Sequence, residues 1–488
     1  MGRLIGIDVG TTSVKAVMID TKGTRLAEFA ASYPTQHPAP GWVEQDPEDW
    51  LRLVIQALER FAAQGGPAQA ICLTSQVNTH VFVDPTLNVL HPAIVWQDGR
   101  AGIAGAEIEA GISPDDKIAW LGAPIPVDAS HALARMGWMA AVRPDLWAKT
   151  AHVMLPRDFL LARLTGAVVA DPISAVGLVG PDLRYAKALI ARMEGAAARL
   201  APLADPLSVV GHISQGLPFA GTPVVLGMMD AWASLFGLGV AGQGQAMYLS
   251  GTSEVLGLIS STLNPEPGVI TFPNWAGITL HAGPTQAGGA SLDWVARLLG
   301  REAPTLCALA ADITATSPLF LPHLQGERAP LWDATARGTF AGLTGATGPA
   351  ELTAAVLEGV AFSARLAFEA LQRSGGVVPS EIRTGGGGAV SDHWCQIRAD
   401  VLNRALVRVQ GRDPGALGAA VMAGVGCGAM SGLAQAAGAL VLTDRVFQPD
   451  PKAAALADTR FAIWKQLYTQ IRPINAQLAQ AVPPRSGG

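Results

Sequence analysis

The segment Arg3-Leu4-Ile5-Gly6-Ile7-Asp8-Val9-Gly10-Thr11-Thr12-Ser13-Val14-Lys15-Ala16-Val17-Met18-Ile19 decides how the chain is read. Arg3–Val9 reads as an apolar strand, Gly10-Thr11-Thr12 as a tight turn, and Ser13–Ile19 as a returning strand with alternating apolar positions. A strand that comes straight back makes a β-hairpin, unlike the strand–helix unit of a dinucleotide-binding fold. A carboxylate at a strand end followed by glycine and two hydroxyls has two chemical uses. Backbone N–H groups and Thr hydroxyls of the turn can hold phosphate oxygens, and Asp8 can hold a hydrated Mg²⁺, a cation that sheds water reluctantly. An ordinary hairpin turn has the same composition, since Asp and Gly are common in turns anyway.

Outward from the hairpin, Asp46–Gln64 reads as a helix, with Pro47 just inside its start and Gly65 after its end. Ala70–Leu73 and His80–Val83 are short strands flanking the polar cluster Thr74–Thr79, and Leu155–Leu164 is a helix closed by Gly166. Met247–Leu249, Gly251-Thr252-Ser253 and Val255–Ile259 then repeat the strand–turn–strand pattern, which implies two halves of one architecture from a match only a few residues long. Glu351–Leu371 is a long helix; Ile382–Thr384, the glycine run Gly385–Gly388 and the helix Asp392–Leu402 follow. The expected division is 1–242 and 243–488, with the boundary near Gly242 and the tail from Pro483 to Gly488 frayed.

A length of 488 residues makes two large domains the natural expectation. Apolar residues are 49% and charged residues 15%, which suits a well-buried enzyme and excludes a disordered or fibrous chain. The net charge of −5, without a run of Lys or Arg, excludes a nucleic-acid footprint or a membrane-surface patch. Cys72, Cys307, Cys395 and Cys427 are far apart and form no CxxC pair, so free thiols in a reducing cytoplasm are expected. Leu4 already starts a strand and Asp8 interrupts the apolar run, so no secretory leader is expected. Leu417–Leu442 carries no charge, but its Gly and Ala supply little transfer energy. A buried, closely packed helix pair in a soluble protein is expected there, in preference to a membrane span.

Three further clusters can carry chemistry. In Thr384-Gly385-Gly386-Gly387-Gly388-Ala389-Val390-Ser391-Asp392, glycines after a strand let the backbone approach a flat ligand, and the next helix N-terminus favours anionic or polar groups. Ser391 or Asp392 also serves as a helix cap. Asp230, in Gly227-Met228-Met229-Asp230-Ala231-Trp232, stands where the strand Pro223–Leu226 meets a helix Ala231–Leu238. A carboxylate there can take a proton from an attacking hydroxyl or simply cap the helix. Gln76-Val77-Asn78-Thr79-His80 and Trp96-Gln97-Asp98-Gly99-Arg100 offer the hydrogen-bonding groups and aromatic face that sugars need. His80 itself is read as a satisfied core residue. Gly237-Leu238-Gly239-Val240-Ala241-Gly242 matches GxGxxG but follows a helix and precedes a strand, the reverse of a dinucleotide fingerprint, and reads as a loop. There is no P-loop GxxxxGKS/T segment.

Together these residues resemble the FGGY carbohydrate kinases, in their xylulokinase-like branch. The resemblance runs through Ile5–Lys15, Pro40-Gly41-Trp42-Val43-Glu44-Gln45-Asp46-Pro47-Glu48-Asp49-Trp50, Trp96–Arg100, Leu155–Gly166, Asp171-Pro172-Ile173-Ser174-Ala175, Phe320–Leu343 and Gly338–Glu358. It implies an α/β fold of two actin-like, ribonuclease H-like ATPase domains with an interdomain cleft. The N-terminal domain would be the sugar and phosphate side and the C-terminal domain the nucleotide side. It further implies ATP and Mg²⁺, with Asp8 serving the metal, and Thr11, Thr12 and Lys15 on the ATP side. Gly251 and Thr252 would meet the β/γ-phosphates, Gly387, Gly388 and Asp392 the adenosine, and Asp230 would be the general base. Gln76, Val77 and Asn78 fall in the sugar-contacting segment. There this chain has Gln76-Val77-Asn78-Thr79 where xylulokinases usually carry Gln-Met-His-Gly, and Ala231 stands after the base where many have Asn. The expected activity is phosphorylation of a ketopentose such as D-xylulose. The alternatives are another sugar or polyol (ribulose, erythritol, glycerol) and a non-catalytic ATP or sugar sensor; a homodimer is compatible with any of them.

Overall fold

The computed structural model describes residues 2–481; the tail from Pro483 lies outside the described residues. Two compact units are present. The first comprises residues 1–239, 273–275 and 413–441, and the second residues 240–272, 276–412 and 442–488.

The first unit is built on a six-stranded mixed sheet in the order Arg25–Ser32, Ser13–Asp20, Arg3–Val9, Ala70–Ser75, Pro223–Val225, Val209–His212. The hairpin expected at the N-terminus is there, with Asp8 opposite Lys15 and Val9 opposite Val14. Arg3–Val9 then runs parallel to Ala70–Ser75, which runs parallel to Pro223–Val225. Alternation along the first strand feeds two different packings. Ile5, Ile7 and Val9 join a core with Trp50, Val54 and Phe61 of the helix Pro47–Ala62 and with Phe159 and Leu160 of the helix Pro156–Thr165. Asp46 caps the first of these helices by accepting from the Glu48 N–H at 3.0 Å, and Gly166 ends the second in a left-handed conformation. On the opposite face, a Cβ on Gly6 would lie 1.9 Å from the Ala416 carbonyl, so glycine lets the helix Pro414–Gly426 rest directly on the strand.

That helix changes the expected division of the chain. Residues 413–441, read from the sequence as part of 243–488, pack with the first unit. The physical reason is the run of small side chains: a Cβ on Gly418 would meet the Ala233 carbonyl at 1.6 Å, leaving room only for glycine against the helix Asp230–Gly237. The uncharged stretch is thus two helices, Pro414–Gly426, buried along most of its length, and Leu433–Leu440, buried on one face. Among the described residues no helix is long and apolar enough to cross a membrane.

The second unit repeats the topology of the first. Its seven-stranded sheet has the order Ile270–Thr271, Leu280–Thr285, Glu254–Ile259, Ala246–Ser250, Glu381–Gly385, Ala405–Val409, Thr443–Phe447. Ala246–Ser250 is antiparallel to Glu254–Ile259 and parallel to Glu381–Gly385, which is parallel to Ala405–Val409, and the last strand is antiparallel. Strand for strand this matches the first sheet, with Ile270–Thr271 added at one edge. The short echo between the two Gly-Thr turns marks a repeat of whole sheets. The Gly237–Gly242 segment, as expected, is the loop between the helix Asp230–Gly237 and the strand Ala246–Ser250.

Candidate functional site

In the first unit, the C-terminal ends of three neighbouring strands gather the candidate residues. Asp8 pairs in register with Thr74, Val9 with Ser75, and Ser75 bridges to Met229. The Thr74 hydroxyl donates to the Met228 carbonyl at 2.6 Å and so fixes the approach to Asp230. Asp230 begins its helix and accepts from the Ala231 N–H at 2.8 Å. The carbonyl of Gly227 accepts at 2.8 Å from Arg157, a fully buried guanidinium also paired with Asp158 and with Asp171, at 2.6 Å for the latter. The Asp171-Pro172-Ile173 segment therefore acts through Arg157 on the backbone before Asp230.

Asp8 and Asp230 are both half-buried. Burial pushes the Asp8 carboxyl up to about 8, and the negative charges of Asp230 and Asp413 add to it while Lys15 opposes. Burial also raises Asp230, to about 6, against the backbone hydrogen bonds that hold it down. Lys15 pairs with Asp413 at 2.7 Å. Asp413 went unnoticed in the sequence because it lies some four hundred positions downstream and returns to this site only through the packing of the helix it precedes.

The Asp8 environment fits a divalent cation. Its Oδ1 is buried without a hydrogen-bond partner, and a Cβ on Gly415 would fall 2.4 Å from Oδ2. A carboxylate with an orphaned buried oxygen and two acidic neighbours is short of positive charge. Among the described residues no group of three or more His, Cys, Asp or Glu is arranged to hold a metal. Mg²⁺ held by Asp8 would therefore take its other ligands from water and phosphate.

Both Gly-Thr turns have their carbonyls tied back. In the first, the Gly10 carbonyl accepts from the Tyr33 hydroxyl and the Thr11 carbonyl from Gln45 Nε2 at 2.7 Å, while Trp96 Nε1 donates to the Thr11 hydroxyl at 3.1 Å. In the second, the Gly251 and Thr252 carbonyls accept from the N–H groups of Gly289 and Ala290 at 2.9 and 3.0 Å, at the start of the helix Gly289–Leu299. Each turn closes on a glycine N–H, Gly10 to Ser13 at 3.1 Å and Gly251 to Ser253 at 3.0 Å. Engaged carbonyls no longer present bare lone pairs to an anion, and Thr12 and Thr252 stand exposed. Hydroxyls so placed can donate to a phosphate oxygen.

The glycine run forms a tight loop, Gly387–Ala389 as a single 3₁₀ turn, with Gly387 exposed and open space where its Cβ would be. A pocket of about 280 Å³ opens beside it, lined by Gly385, Gly386, Val390, Arg408 and Arg412. Ser391 caps the following helix by accepting from the Trp394 N–H. The Asp392 carboxylate is engaged by Arg408, at 2.7 Å, and by Arg445.

The cluster Gln76–His80 divides. Gln76 is buried, donates through Nε2 to Gln45 at 2.9 Å, and has Oε1 without a partner. Val77 and Asn78 are half-buried, and Asn78 adopts a left-handed φ of 55° with its amide 3.4 Å from the Ser130 hydroxyl. His80 corrects the reading of a satisfied core residue, since its Nδ1 is buried with no partner. Burial, then Arg135 and His131, push its pKa well below the usual imidazole range. It is held neutral by burial first and by those two basic groups second.

Residues 3–237 match the N-terminal domain, and residues 246–427 the C-terminal domain, of the FGGY family of carbohydrate kinases. The chain is 30% identical to a xylulose kinase of Escherichia coli (strain K12), across 97% of this chain and 100% of that one. It is 31% identical to a glycerol kinase of Aromatoleum aromaticum, across 95% of this chain and 98% of that one. The solved structure of a xylulose kinase from Rhodospirillum rubrum superposes with a TM-score of 0.86 at 28% identity, covering 97% of this chain and 100% of that one.

Proposed function

The chain belongs to the FGGY family of carbohydrate kinases and is an ATP-dependent sugar kinase, and from that premise we propose that it phosphorylates a ketopentose, D-xylulose first among them. The observation that carries the site assignment is that Asp8 and Asp230 stand at the same end of one sheet, on and just after the strands flanking Ala70–Ser75, near enough for the Asp230 charge to raise Asp8.

Asp230 is the general base. Raised to about 6, it is ionised at neutral pH and still basic enough to accept a proton. It takes the proton of the sugar hydroxyl as that oxygen bonds to the γ-phosphorus of ATP and the bond from phosphorus to the ADP oxygen breaks. Mg²⁺, when bound at Asp8, supplies positive charge to the phosphates. The N–H groups and hydroxyls of the turns at Thr11-Thr12 and Gly251-Thr252 hold phosphate oxygens, with Lys15 as a nearby cation. Gly387 and Gly388 lie against the nucleoside beside the 280 Å³ pocket. Asp392 shapes that pocket by holding Arg408, which lines it. Gln76, whose Oε1 has no partner, Val77 and Asn78 form the sugar-contacting segment. All four cysteines are free, in keeping with a cytoplasmic enzyme.

Asp230→Asn is expected to lower kcat by a factor of about 10² to 10⁴ with ADP affinity retained. Near-parental turnover in that variant rejects the assignment. Polyol phosphorylation is the second reading, favoured by the similarity to a glycerol kinase and by the amide of Asn78 at the sugar segment. Coupled ADP release over D-xylulose, ribulose, erythritol and glycerol decides between them: the substrate with the highest kcat/KM is the one the site was built to hydrogen-bond, because buried polar groups reject a mismatched set.

A further inference from the structure

Beneath the second Gly-Thr turn lies a charge pair that the proposed chemistry does not use. Arg398, on the helix Asp392–Leu402, and Glu254, at the start of the strand Glu254–Ile259, are both fully buried and meet at 2.8 Å. An ion pair out of water is stabilising only when its remaining donors and acceptors are also placed. Here all but Arg398 Nε, which is buried without a partner, are placed with directional bonds. Arg398 Nη1 donates to the Gly388 carbonyl at 2.8 Å, and Nη2 donates to the Ser250 hydroxyl at 2.7 Å as well as to Glu254 Oε1. Ser250 donates to Glu254 Oε1 at 3.1 Å, and the Tyr248 hydroxyl donates to Oε2 at 2.7 Å. The guanidinium lies 3.9 Å over the Trp394 ring and 4.9 Å over the Tyr248 ring.

These bonds end on two segments. One is the strand and turn from Tyr248 to Glu254, which carries Gly251 and Thr252; the other is the glycine loop at Gly388. The segments already touch, since a Cβ on Gly388 would lie 2.2 Å from the Ser250 hydroxyl and one on Gly386 2.4 Å from the Ser250 carbonyl. Apolar filler would hold them together by burial alone. A guanidinium that donates from Nη1 to one segment and from Nη2 to the other fixes their relative placement.

We propose that the Arg398–Glu254 pair, completed by Tyr248 and Ser250, is a positioning set that holds the Gly251-Thr252 turn and the Gly387-Gly388 loop in one geometry, so that the phosphate and nucleoside ends of ATP meet a preformed surface. This rests on the reading of those two segments as nucleotide contacts. The four side chains act through the backbone they hold, and the gain is a smaller ordering cost when the nucleotide binds.

The test replaces both charges together, Glu254→Leu with Arg398→Met, so that neither is left buried alone. The expected result is a thermal midpoint close to the parent's, ADP affinity by calorimetry weakened about tenfold, KM for ATP raised in proportion and KM for the sugar unchanged. A merely structural pair would shift the midpoint or move both KM values alike. Parental ADP affinity in the folded double variant overturns the proposal. If that variant does not fold, Tyr248→Phe decides, since it keeps the ion pair and removes one donor. ADP affinity about threefold weaker supports the positioning role, and unchanged affinity overturns it. Thr252→Val tests the underlying reading by itself. If it leaves ADP affinity unchanged, the nucleotide assignment fails and the positioning role falls with it. If it weakens ADP while the double variant does not, only the positioning role fails.

Discussion

In the proposed base role Asp230 would accept a proton only while it is itself ionised, and burial sets where that occurs. With its pKa raised to about 6, the catalytic fraction grows as pH rises through that value. The logarithm of kcat is therefore expected to climb below about pH 6 and to level above it; a flat profile from pH 5 to 7 removes Asp230 from the base role. Asp8 carries the opposite tension. Its folded pKa of about 8 exceeds the ordinary 3.8, so between those values the ligand-free folded state binds more protons than the unfolded chain, and stability falls as pH rises. Asp8→Asn removes that cost. Ligand-free Asp8→Asn protein is expected to melt higher than the parent at pH 8, with the gap closing toward pH 4, while losing activity. A lower melting point for the variant at pH 8 contradicts this account of Asp8. Stability given up at a functional carboxylate is a common trade.

At the scale of elements, the helix Pro414–Gly426 works as a wedge of small residues. Its contacts with the strand Arg3–Val9 and the helix Asp230–Gly237 leave no room for a methyl group at Gly6 or Gly418. Gly6→Ala and Gly418→Ala are each expected to cost about 3 kcal/mol or more, as overpacking forces backbone apart. Gly438→Ala, exposed on the helix Leu433–Leu440 with nothing within 4 Å of the added Cβ, should instead gain up to about 1 kcal/mol from helix propensity. Chemical denaturation of the three variants measures the contrast, and similar effects at all three positions would contradict the wedge. The hairpins were legible at this scale because a strand needs only local alternation and a turn only Gly and Thr. The tying back of their carbonyls was not, since Gln45, Tyr33 and Gly289 reach the turns from other elements.

At the scale of the molecule, one topology is used twice and the chain does not respect the boundary between its uses. Residues 413–441 complete the first unit after most of the second has been made. A fragment 1–242 therefore lacks the helix that covers Gly6 and packs on Ala233. It is expected to bind a hydrophobic dye and to melt without cooperativity, and a fragment with residues 413–441 joined to 1–239 through a flexible linker should recover a cooperative transition. A sharp transition in 1–242 alone would mean that the returning helix is dispensable.

The sequence by itself determined both hairpins, the helices Pro47–Ala62 and Asp392–Leu402, the helix pair in the uncharged Gly/Ala stretch and the family, because those properties follow from local periodicity, turn chemistry and motif. Tertiary structure alone decided that Asp413 sits beside Lys15, that Gln76 is buried against Gln45, that burial keeps His80 neutral, and that Arg398 joins two loops more than a hundred residues apart. Each of these depends on which distant side chain fills the space beside a residue. Burial and charge act through that space, whatever the separation along the chain.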